Sequence, residues 1–498
     1  MNARVQREAA LTRLAESPFD VLVIGGGIVG AGIARDAALR GLKTALVEQH
    51  DFAFGTSSRS SRLLHGGLRY LAQGRIGLVR EASVEKTILH RIAPHLAEPL
   101  PFIFPTYRAN KNWRLWQLKL GVKLYDLLCG GRNLGKSTWL SPAAVRHKVP
   151  GLRTDGLSGA VRYFDGFTND ARLVLDTLRS SARAGAVVVN YCGFKDAQRS
   201  AAGPNAGGLW SSEIEDVLTG KTSRVRARVI VNATGPWADG LPHSQVKLRV
   251  TKGIHLVVER RRVAVPETIV MTAGKRILFA IPWGERTILG TTDTDYQGSA
   301  DRVTADAAGV DYLLNITNQF FPNIALTNAD VISTWAGLRP LLADAHGKPS
   351  DISRAHEISS PEPGWWDVAG GKLTTHRLMA EQTVDQIIQF FGEANQPSPN
   401  TLPCRTAEEQ LLPANETQGI SSILPPECCR RVVEHYCSRE WAVHLDDVMV
   451  RRTGWQRYRR DADATAEQVA SWMGELLGWT DGQRVEELAR YGAAARRA

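Results

Sequence analysis

Residues 19–41 read Phe-Asp-Val-Leu-Val-Ile-Gly-Gly-Gly-Ile-Val-Gly-Ala-Gly-Ile-Ala-Arg-Asp-Ala-Ala-Leu-Arg-Gly. The opening apolar run predicts a buried parallel strand, and the small apolar residues after the glycines predict a helix. Gly25, Gly27 and Gly30 match G-x-G-x-x-G, which permits a tight turn, a close approach of backbone N–H groups to a pyrophosphate, and close packing of helix on strand. The next apolar run ends at Glu48, whose carboxylate can accept hydrogen bonds from a ribose. This order of elements predicts a dinucleotide-binding unit.

The bulk composition limits the classes of partner. The chain has 498 residues, 43% of them hydrophobic, which is enough for roughly two or three domains with large cores. A formal net charge of +10 at pH 7 favours acidic partners, such as a phosphate-bearing ligand or an anionic membrane surface. Lysine and arginine are spread along the chain, so we predict no nucleic-acid partner.

Cysteine usage and hydropathy indicate the compartment. The six cysteines form no C-x-x-C pair and lack the histidine spacing of a zinc site, so we expect reduced thiols and no metal. Residues 1–17 contain charged side chains and no apolar core, so we expect no signal peptide there. No window approaches the about twenty uncharged apolar residues of a membrane-spanning helix. These features predict a cytoplasmic protein whose association with the inner (cytoplasmic) membrane is peripheral.

The order of the predicted elements indicates a dinucleotide domain built from separate segments. Residues 227–235 form another strongly apolar β run, and residues 246–293 contain several strands with no helix between them. Such a run predicts an antiparallel sheet that caps the dinucleotide domain, a plan common among FAD oxidoreductases. We therefore predict an α/β fold with a discontinuous, Rossmann-like FAD-binding domain, an antiparallel-sheet substrate domain and a helical C-terminal domain. The predicted bounds are 19–95, 165–245 and 335–395 for the FAD-binding domain, 96–164 and 246–334 for the substrate domain, and 405–498 for the C-terminal domain.

Seven further motifs follow the fingerprint in order along the chain. They are Thr56-Ser-Ser-Arg-Ser-Ser-Arg-Leu-Leu-His-Gly-Gly-Leu-Arg-Tyr70, Val231-Asn-Ala-Thr-Gly-Pro-Trp237, Lys252-Gly-Ile-His255, Ile281-Pro-Trp283, Gly290-Thr-Thr-Asp293, Gly337-Leu-Arg-Pro340 and Gly370-Gly-Lys-Leu-Thr-Thr375. In combination they resemble the respiratory (aerobic-type), FAD-dependent glycerol-3-phosphate dehydrogenases, from about residue 19 to the C-terminus. The resemblance implies oxidation of sn-glycerol 3-phosphate to dihydroxyacetone phosphate by hydride transfer to a tightly bound FAD, with the electrons passing to a membrane quinone.

The candidate catalytic residues follow from this chemistry and from the resemblance. Removing a hydride from a carbinol carbon requires a base for the hydroxyl proton, and histidine is the natural candidate at neutral pH. The resemblance implies that His65 lies in a turn at the flavin and that His255 lies near the substrate. Both are candidates, and His65 is the favoured base. Arg339 is the candidate cation beside the reacting centre, where it would stabilise developing negative charge.

The substrate phosphate is a dianion, so a guanidinium or ammonium group is its expected partner. By family position the candidates are Arg354 and Lys372, with Arg276 as a weaker third. Arg69 follows the His-Gly-Gly turn and is a candidate for either the flavin or the substrate.

The resemblance also implies a set of cofactor contacts. Residues 56–61 offer hydroxyl and N–H groups to the pyrophosphate and ribityl chain, and residues 370–375 begin a helix whose N-terminus would stabilise a reduced, anionic flavin. The predicted FAD contacts are Gly25, Gly27, Gly30, Glu48, Thr56, Ser57, Ser58, Ser60, Ser61, Gly66, Gly67, Ala233, Thr234, Gly235, Gly371, Leu373 and Thr374.

A predicted helix at residues 112–128 is rich in Trp and Leu, with Arg114, Lys119 and Lys123 interleaved. This composition predicts an interfacial helix on an anionic bilayer, and the alternative is a helix packed on the cap.

Two other functions stay open. One is an oxidase of the same superfamily that reduces oxygen, or a relative acting on another hydroxy or amino acid; the other is a flavin-binding scaffold without catalysis. A homo-oligomer is compatible with the sequence.

Overall fold

The computed structural model describes residues 3–67, 71, 74–110, 112–129, 133–200, 208–343, 356–393 and 399–495. The strands in these ranges are β1 (Phe19–Ile24), β2 (Thr44–Val47), β3 (Leu63–Leu64), β4 (Glu98–Tyr107), β5 (Thr138–Leu140), β6 (Leu157–Phe167), β7 (Val187–Val189), β8 (Cys192–Arg199), β9 (Trp210–Asp216), β10 (Lys221–Asn232), β11 (Leu248–Glu259), β12 (Thr268–Ala273), β13 (Arg276–Trp283), β14 (Arg286–Gly290), β15 (Thr294–Asp295), β16 (Val331–Leu342), β17 (His356–Glu362) and β18 (Trp365–Gly370).

The helices are α1 (Ala3–Glu16), α2 (Ile28–Leu39), α3 (Ile76–Ile92), α4 (Leu115–Leu128), α5 (Pro142–Lys148), α6 (Asp170–Arg183), α7 (Ala307–Phe320), α8 (His376–Glu393), α9 (Ala414–Thr417), α10 (Arg430–Arg439), α11 (Trp455–Tyr458), α12 (Ala462–Leu477) and α13 (Asp481–Ala495). Within the described ranges, no helix has the length and apolar character needed to cross a membrane.

The first sheet is built around β1, the strand predicted from the glycine fingerprint. Its path runs β17-β18-β10-β1-β2-β7, and all pairs from β18 to β7 are parallel. Helices α2, α6 and α8 share one apolar core with one face of this sheet, while α1 and the β8–β9 hairpin cover the other face. Because both faces are covered, β1 is a continuous apolar run instead of an alternating one.

The second sheet is almost wholly antiparallel, as the strand run at 246–293 predicts. Its path is β15-β11-β14-β13-β12-β4-β6-β3, with β16 paired to β11 and β5 to β6, and the single parallel pair in this described sheet is β12 with β4. Helices α5 and α7 close one face with an apolar core. This sheet is the cap that the sequence predicts over the dinucleotide domain.

Two strands differ from the predicted domain division. Strand β3, within the predicted FAD-binding range 19–95, pairs with β6 of the cap, and β16 is the second. Strand β16 pairs with β11 along nearly its whole length, although the predicted boundary at residue 335 assigns most of it to the FAD-binding domain. The physical reason is that residues 331–342 continue the antiparallel ladder of the cap before the chain returns to the first sheet at β17. By strand pairing, the cap therefore extends to residue 342.

The C-terminal segment is helical, as predicted, and has its own core around Tyr436, Trp455 and Met473. Charged pairs with no access to solvent join it to the first domain. Arg452 donates to Asp51 at 2.8 Å, and Arg451 donates to the same carboxylate. Burial alone would raise the pKa of Asp51, but the two guanidinium groups hold the pKa of this carboxyl below its ordinary value.

Replacing Asp51 by Asn leaves two buried guanidinium groups without their shared carboxylate. We expect the free energy of unfolding to fall by about 3–5 kcal/mol, measured by chemical denaturation followed by circular dichroism. Asp481→Asn is the matched control, because Asp481 forms an exposed pair with Arg484 at 3.4 Å and should contribute less than about 1 kcal/mol. Equal stability of the two variants would contradict a structural role for the buried charge.

Candidate active site

The glycine turn lies at the carboxyl ends of β1 and β10, and its geometry excludes side chains at two positions. Gly25 has a φ of 110°, and a Cβ at Gly30 would lie 2.0 Å from the carbonyl oxygen of Gly25. Helix α2 therefore packs so close to the turn that only glycine fits at position 30. Its N-terminus faces the open space beyond the strands, which is the geometry of a phosphate-binding turn.

A cleft of about 430 Å³ opens at this turn, and we call it the dinucleotide cleft. Glu48 lies on its wall and accepts hydrogen bonds from the backbone N–H groups of Gly26 (2.7 Å) and His50 (2.8 Å). Burial raises the pKa of Glu48, while these two hydrogen bonds oppose that shift. The predicted cofactor residues that line the cleft are Gly25, Gly27, Glu48, Thr56, Ser57, Ser60, Ala233, Thr234, Gly235, Gly371 and Leu373.

Residues 56–61, which we call the serine loop, separate this cleft from a second cavity. The N–H group of Ile28, in the first turn of α2, donates to Ser57 Oγ at 3.0 Å. Ser60 donates through its backbone N–H (2.9 Å) and its hydroxyl (2.7 Å) to Asp170, at the start of α6. The loop is thus fixed to two helices of the first domain, and its backbone conformation is set from both.

The second cavity, about 160 Å³ in volume, brings four predicted functional residues together: His65, His255, Arg339 and Lys372. We call it the inner cavity. Six residues line both spaces, so the inner cavity lies directly against the dinucleotide cleft. They are Thr56, Ser60, Pro340, Gly371, Lys372 and Leu373.

His255 is held on two sides. Its Nε2 lies 2.8 Å from Ser61 Oγ, and its ring stacks on Trp335 with centroids 4.9 Å apart and planes 14° apart. Burial, followed by the positive charges of Arg339 and two further arginines, lowers the pKa of His255 well below its ordinary value. This environment therefore disfavours the protonated imidazolium and favours the neutral ring.

Arg339 and His65 reach the inner cavity from different elements. Arg339, on β16, donates to Asp293 (3.1 Å) and to Thr291 Oγ1 (3.1 Å), which fixes its guanidinium beside Gly253. The backbone N–H of His65 donates to Thr374 Oγ1 at 3.0 Å, just before α8. That bond connects the turn of His65 to the Gly-Gly-Lys-Leu-Thr-Thr segment.

Several predicted residues lie elsewhere. Arg276 lies at the β12–β13 hairpin, with its guanidinium 6.0 Å from the Tyr312 ring centroid, and it lines neither cavity. Arg354 and Arg69 lie outside the described residues. Gly30, Ser58, Gly66 and Gly67 line neither space, whereas Ser61 and Thr374 line the inner cavity instead of the cleft.

Comparison with known proteins agrees with this geometry. Residues 20–386 match the FAD dependent oxidoreductase family, and residues 418–484 match the C-terminal domain of alpha-glycerophosphate oxidase. The glycerol-3-phosphate dehydrogenase of Mycobacterium leprae (strain TN) is 36% identical over 98% of this chain and 90% of its own. The chain belongs to the FAD-dependent glycerol-3-phosphate dehydrogenase family.

Two further relatives extend the comparison. The alpha-glycerophosphate oxidase of Streptococcus pyogenes serotype M1 is 31% identical over 97% of this chain and 96% of its own. The glycerol-3-phosphate dehydrogenase from Bacillus halodurans, whose X-ray structure is a complex with FAD, matches with a TM-score of 0.75 and 26% identity, over 100% of this chain and 98% of that one. The predicted fold class is confirmed, and FAD is the cofactor.

The dinucleotide cleft fits FAD by its own residues. The close backbone approach at Gly25 and Gly30 leaves room for a pyrophosphate, and Glu48 is the acid that a ribose requires. Sequence reasoning missed the ring cluster of His50, Phe54 and Trp237 on the wall of this cleft, in which His50 and Phe54 stack at 4.0 Å. Trp237 ends the motif at 231–237, but no motif contains His50 or Phe54, and the cluster joins two segments that are distant in sequence.

Adding a methyl group at Gly30 should displace the turn, because the new Cβ would overlap the carbonyl oxygen of Gly25. We expect Gly30→Ala to lose most of its FAD, measured as the ratio of absorbance at 450 nm to 280 nm (about the usual flavin and protein maxima) after purification. Gly77→Ala on α3 is the control, since a Cβ there meets no atom within 4 Å. Full FAD content in Gly30→Ala would argue against this turn as the pyrophosphate site.

Proposed function

We propose that this protein oxidises sn-glycerol 3-phosphate to dihydroxyacetone phosphate and passes the electrons to a quinone in the inner membrane. The observation that carries the proposal is the inner cavity, where two histidines and three cationic side chains (Arg59, Arg339 and Lys372) line one small space beside the FAD cleft. A small alcohol bearing a phosphate dianion is complementary to this set of side chains. FAD, when bound, supplies the hydride acceptor.

The hydroxyl proton of the substrate requires an acceptor within hydrogen-bond reach. His65 is the proposed base, because it lines the inner cavity and its backbone N–H is bonded to Thr374 on the wall of the same cavity. His255 is the alternative, and its place on the wall of the inner cavity, with its Nε2 2.8 Å from Ser61 Oγ, supports it. Arg339, fixed by Asp293, is placed to orient the hydroxyl and to stabilise negative charge on its oxygen.

Lys372 is the proposed phosphate partner within the described residues, with Arg354 and Arg69 as further candidates from the resemblance. Lys372 lies on the wall shared by both cavities and immediately precedes the turn Leu373–Thr375 that leads into α8. The backbone N–H groups at the start of a helix add to its positive charge. Lysine and helix terminus together would hold an anion at the boundary of the two cavities.

Separate His65→Asn and His255→Asn variants identify the base. We expect the variant that lacks the base to show flavin reduction by glycerol 3-phosphate slowed by about 10²–10⁴-fold, with FAD content unchanged. Anaerobic stopped-flow absorbance measures this rate. Normal rates in both variants would refute both assignments, and His90→Asn, remote from the cavities and bonded to Ala97 O, serves as the control.

Lys372→Met removes a charged partner of the substrate phosphate. We expect KM for glycerol 3-phosphate to rise by about 10- to 100-fold, because a hydrogen bond to a charged group is typically worth about 1.5–3 kcal/mol. Lys275→Met, at the β12–β13 hairpin and lining neither cavity, is the control. A KM that is equal in all three proteins would exclude Lys372 from phosphate binding.

Helix α4 supports the proposed membrane contact. Trp116, Leu120, Leu124 and Leu127 follow helical spacing and are all exposed, Leu127 to 73%, while the opposite face of the helix is buried. Trp139 is exposed beside them, with Lys119 Nζ 4.2 Å from its ring centroid. An apolar face of this size with lysines beside it is typical of a helix lying in an anionic lipid interface, where a quinone is also dissolved.

Reversing charge at Lys119 and Lys123 should weaken binding to anionic vesicles by about tenfold or more, since each surface cation contributes about 1 kcal/mol. Replacing Leu120 and Leu127 by Ser should weaken it further, including at high salt. Co-sedimentation with phosphatidylglycerol-containing liposomes measures both effects. The control is Val485→Ser, an exposed apolar residue on α13, and binding that is unchanged in the α4 variants would remove the proposed contact surface.

An oxygen-reducing oxidase is the second candidate. It is supported by the 31% identical alpha-glycerophosphate oxidase and by the family model that matches residues 418–484. Hydrogen peroxide formed in proportion to substrate during aerobic turnover would favour the oxidase. Turnover that requires an added quinone, with little peroxide, would favour the dehydrogenase.

A further inference from the structure

The C-terminal domain reaches the active site through one buried side chain, Arg457 on α11. It is 3% exposed, and its Nη1 donates to the carbonyl oxygen of Ser58 in the serine loop. The hydroxyl of Ser333, on β16, donates to the carbonyl oxygen of Arg457 at 2.7 Å. Arg457 therefore lies between the C-terminal domain, the cap and the serine loop, and touches all three.

The guanidinium of Arg457 also packs on the ring that supports His255. Its Cζ lies 4.9 Å from the centroid of Trp335, the distance of a cation–π contact. Trp335 stacks on His255 with centroids 4.9 Å apart, and its Nε1 donates to Ser60 O at 3.3 Å. A continuous set of contacts thus runs from α11 through Trp335 to the imidazole on the wall of the inner cavity.

We infer that Arg457 is a positioning residue of the active site, which holds the serine loop and the Trp335 ring around His255 and keeps a buried positive charge beside them. This role goes beyond the proposed function in assigning part of the site to the C-terminal domain. It rests on that function only for the kinetic measurement described below.

The charges around His255 come from every side of its surroundings. Arg457 belongs to α11, Arg339 to β16, and Arg62 directly follows the serine loop. The positive charges of all three lower the pKa of His255, in addition to the effect of its burial. Burial lowers the pKa of Arg457 to about 9, so it stays charged at neutral pH. The nearest carboxylate to Arg62 is Asp170, at 3.9 Å.

Arg457→Gln keeps an N–H donor and removes the charge, whereas Arg457→Lys keeps the charge and removes the planar guanidinium. Holoprotein labelled with ¹³C-histidine is titrated and followed by NMR, and His255→Asn identifies the His255 signal. We expect the His255 midpoint to rise by about one pH unit or more in Arg457→Gln and to stay near wild type in Arg457→Lys. Arg460→Met is the control, because Arg460 is exposed and bonded to Glu259 at 2.5 Å.

We also expect both Arg457 variants to slow flavin reduction by glycerol 3-phosphate by about tenfold or more without a matching rise in KM, since neither restores the stacked geometry. A wild-type His255 midpoint in Arg457→Gln, or a wild-type rate in Arg457→Lys, would overturn the inference. If Arg457→Gln does not fold with FAD, the rate of flavin reduction in Arg457→Lys decides alone. If glycerol 3-phosphate does not reduce the flavin of the wild-type protein, the proposed function is refuted, and the NMR titration still tests the role of Arg457.

Discussion

The serine loop is the constraint on which the rest of the site depends, because four parts of the molecule form hydrogen bonds with its side chains and backbone. It joins α2 and α6 of the FAD-binding domain, β16 of the cap and α11 of the C-terminal domain, and it forms a wall of both cavities. A shift of any one part would move the wall between cofactor and substrate. The bonded pairs are Ser57 with Ile28, Ser60 with Asp170, Thr56 with Leu338 and Ser58 with Arg457.

The arginines of the site have different neighbours, a carboxylate in one case and aromatic rings in the others, and this difference explains their separate roles. Arg339 is paired with Asp293, which fixes the direction of its guanidinium. Arg62 and Arg457 are buried against the Trp283 and Trp335 rings instead. Aromatic rings hold a guanidinium without cancelling its charge, so the potential around the inner cavity stays positive. That potential suits an anionic ligand and keeps a neighbouring imidazole neutral.

What could be predicted from the sequence is the part encoded by short-range pattern. At Gly25 and Gly30 the backbone of neighbouring segments lies so close that a Cβ does not fit, so the turn requires glycine at both positions and the sequence shows it directly. The antiparallel cap was predicted in the same way, from consecutive β runs with no helix between them. Arg457 was not, because it bonds to Ser58 across 399 residues, and a single arginine in a charged helix gives no local signal. Arg276, the weaker third candidate for the substrate phosphate, lines neither cavity, and its role stays a prediction.

Helix α4 relates the proposed membrane surface to the active site. Its outer face carries the exposed Trp116 and Leu120, and its inner face carries the fully buried Tyr125. The backbone N–H of Gly66 donates to Tyr125 Oη at 2.9 Å, and the Tyr125 hydroxyl donates to Asp165. The turn of His65 is therefore separated from the proposed lipid-facing surface by one helix, about 10 Å in diameter with its side chains. A membrane on that surface would bring lipid-dissolved quinone close to the cavities without any part of the described chain crossing the bilayer.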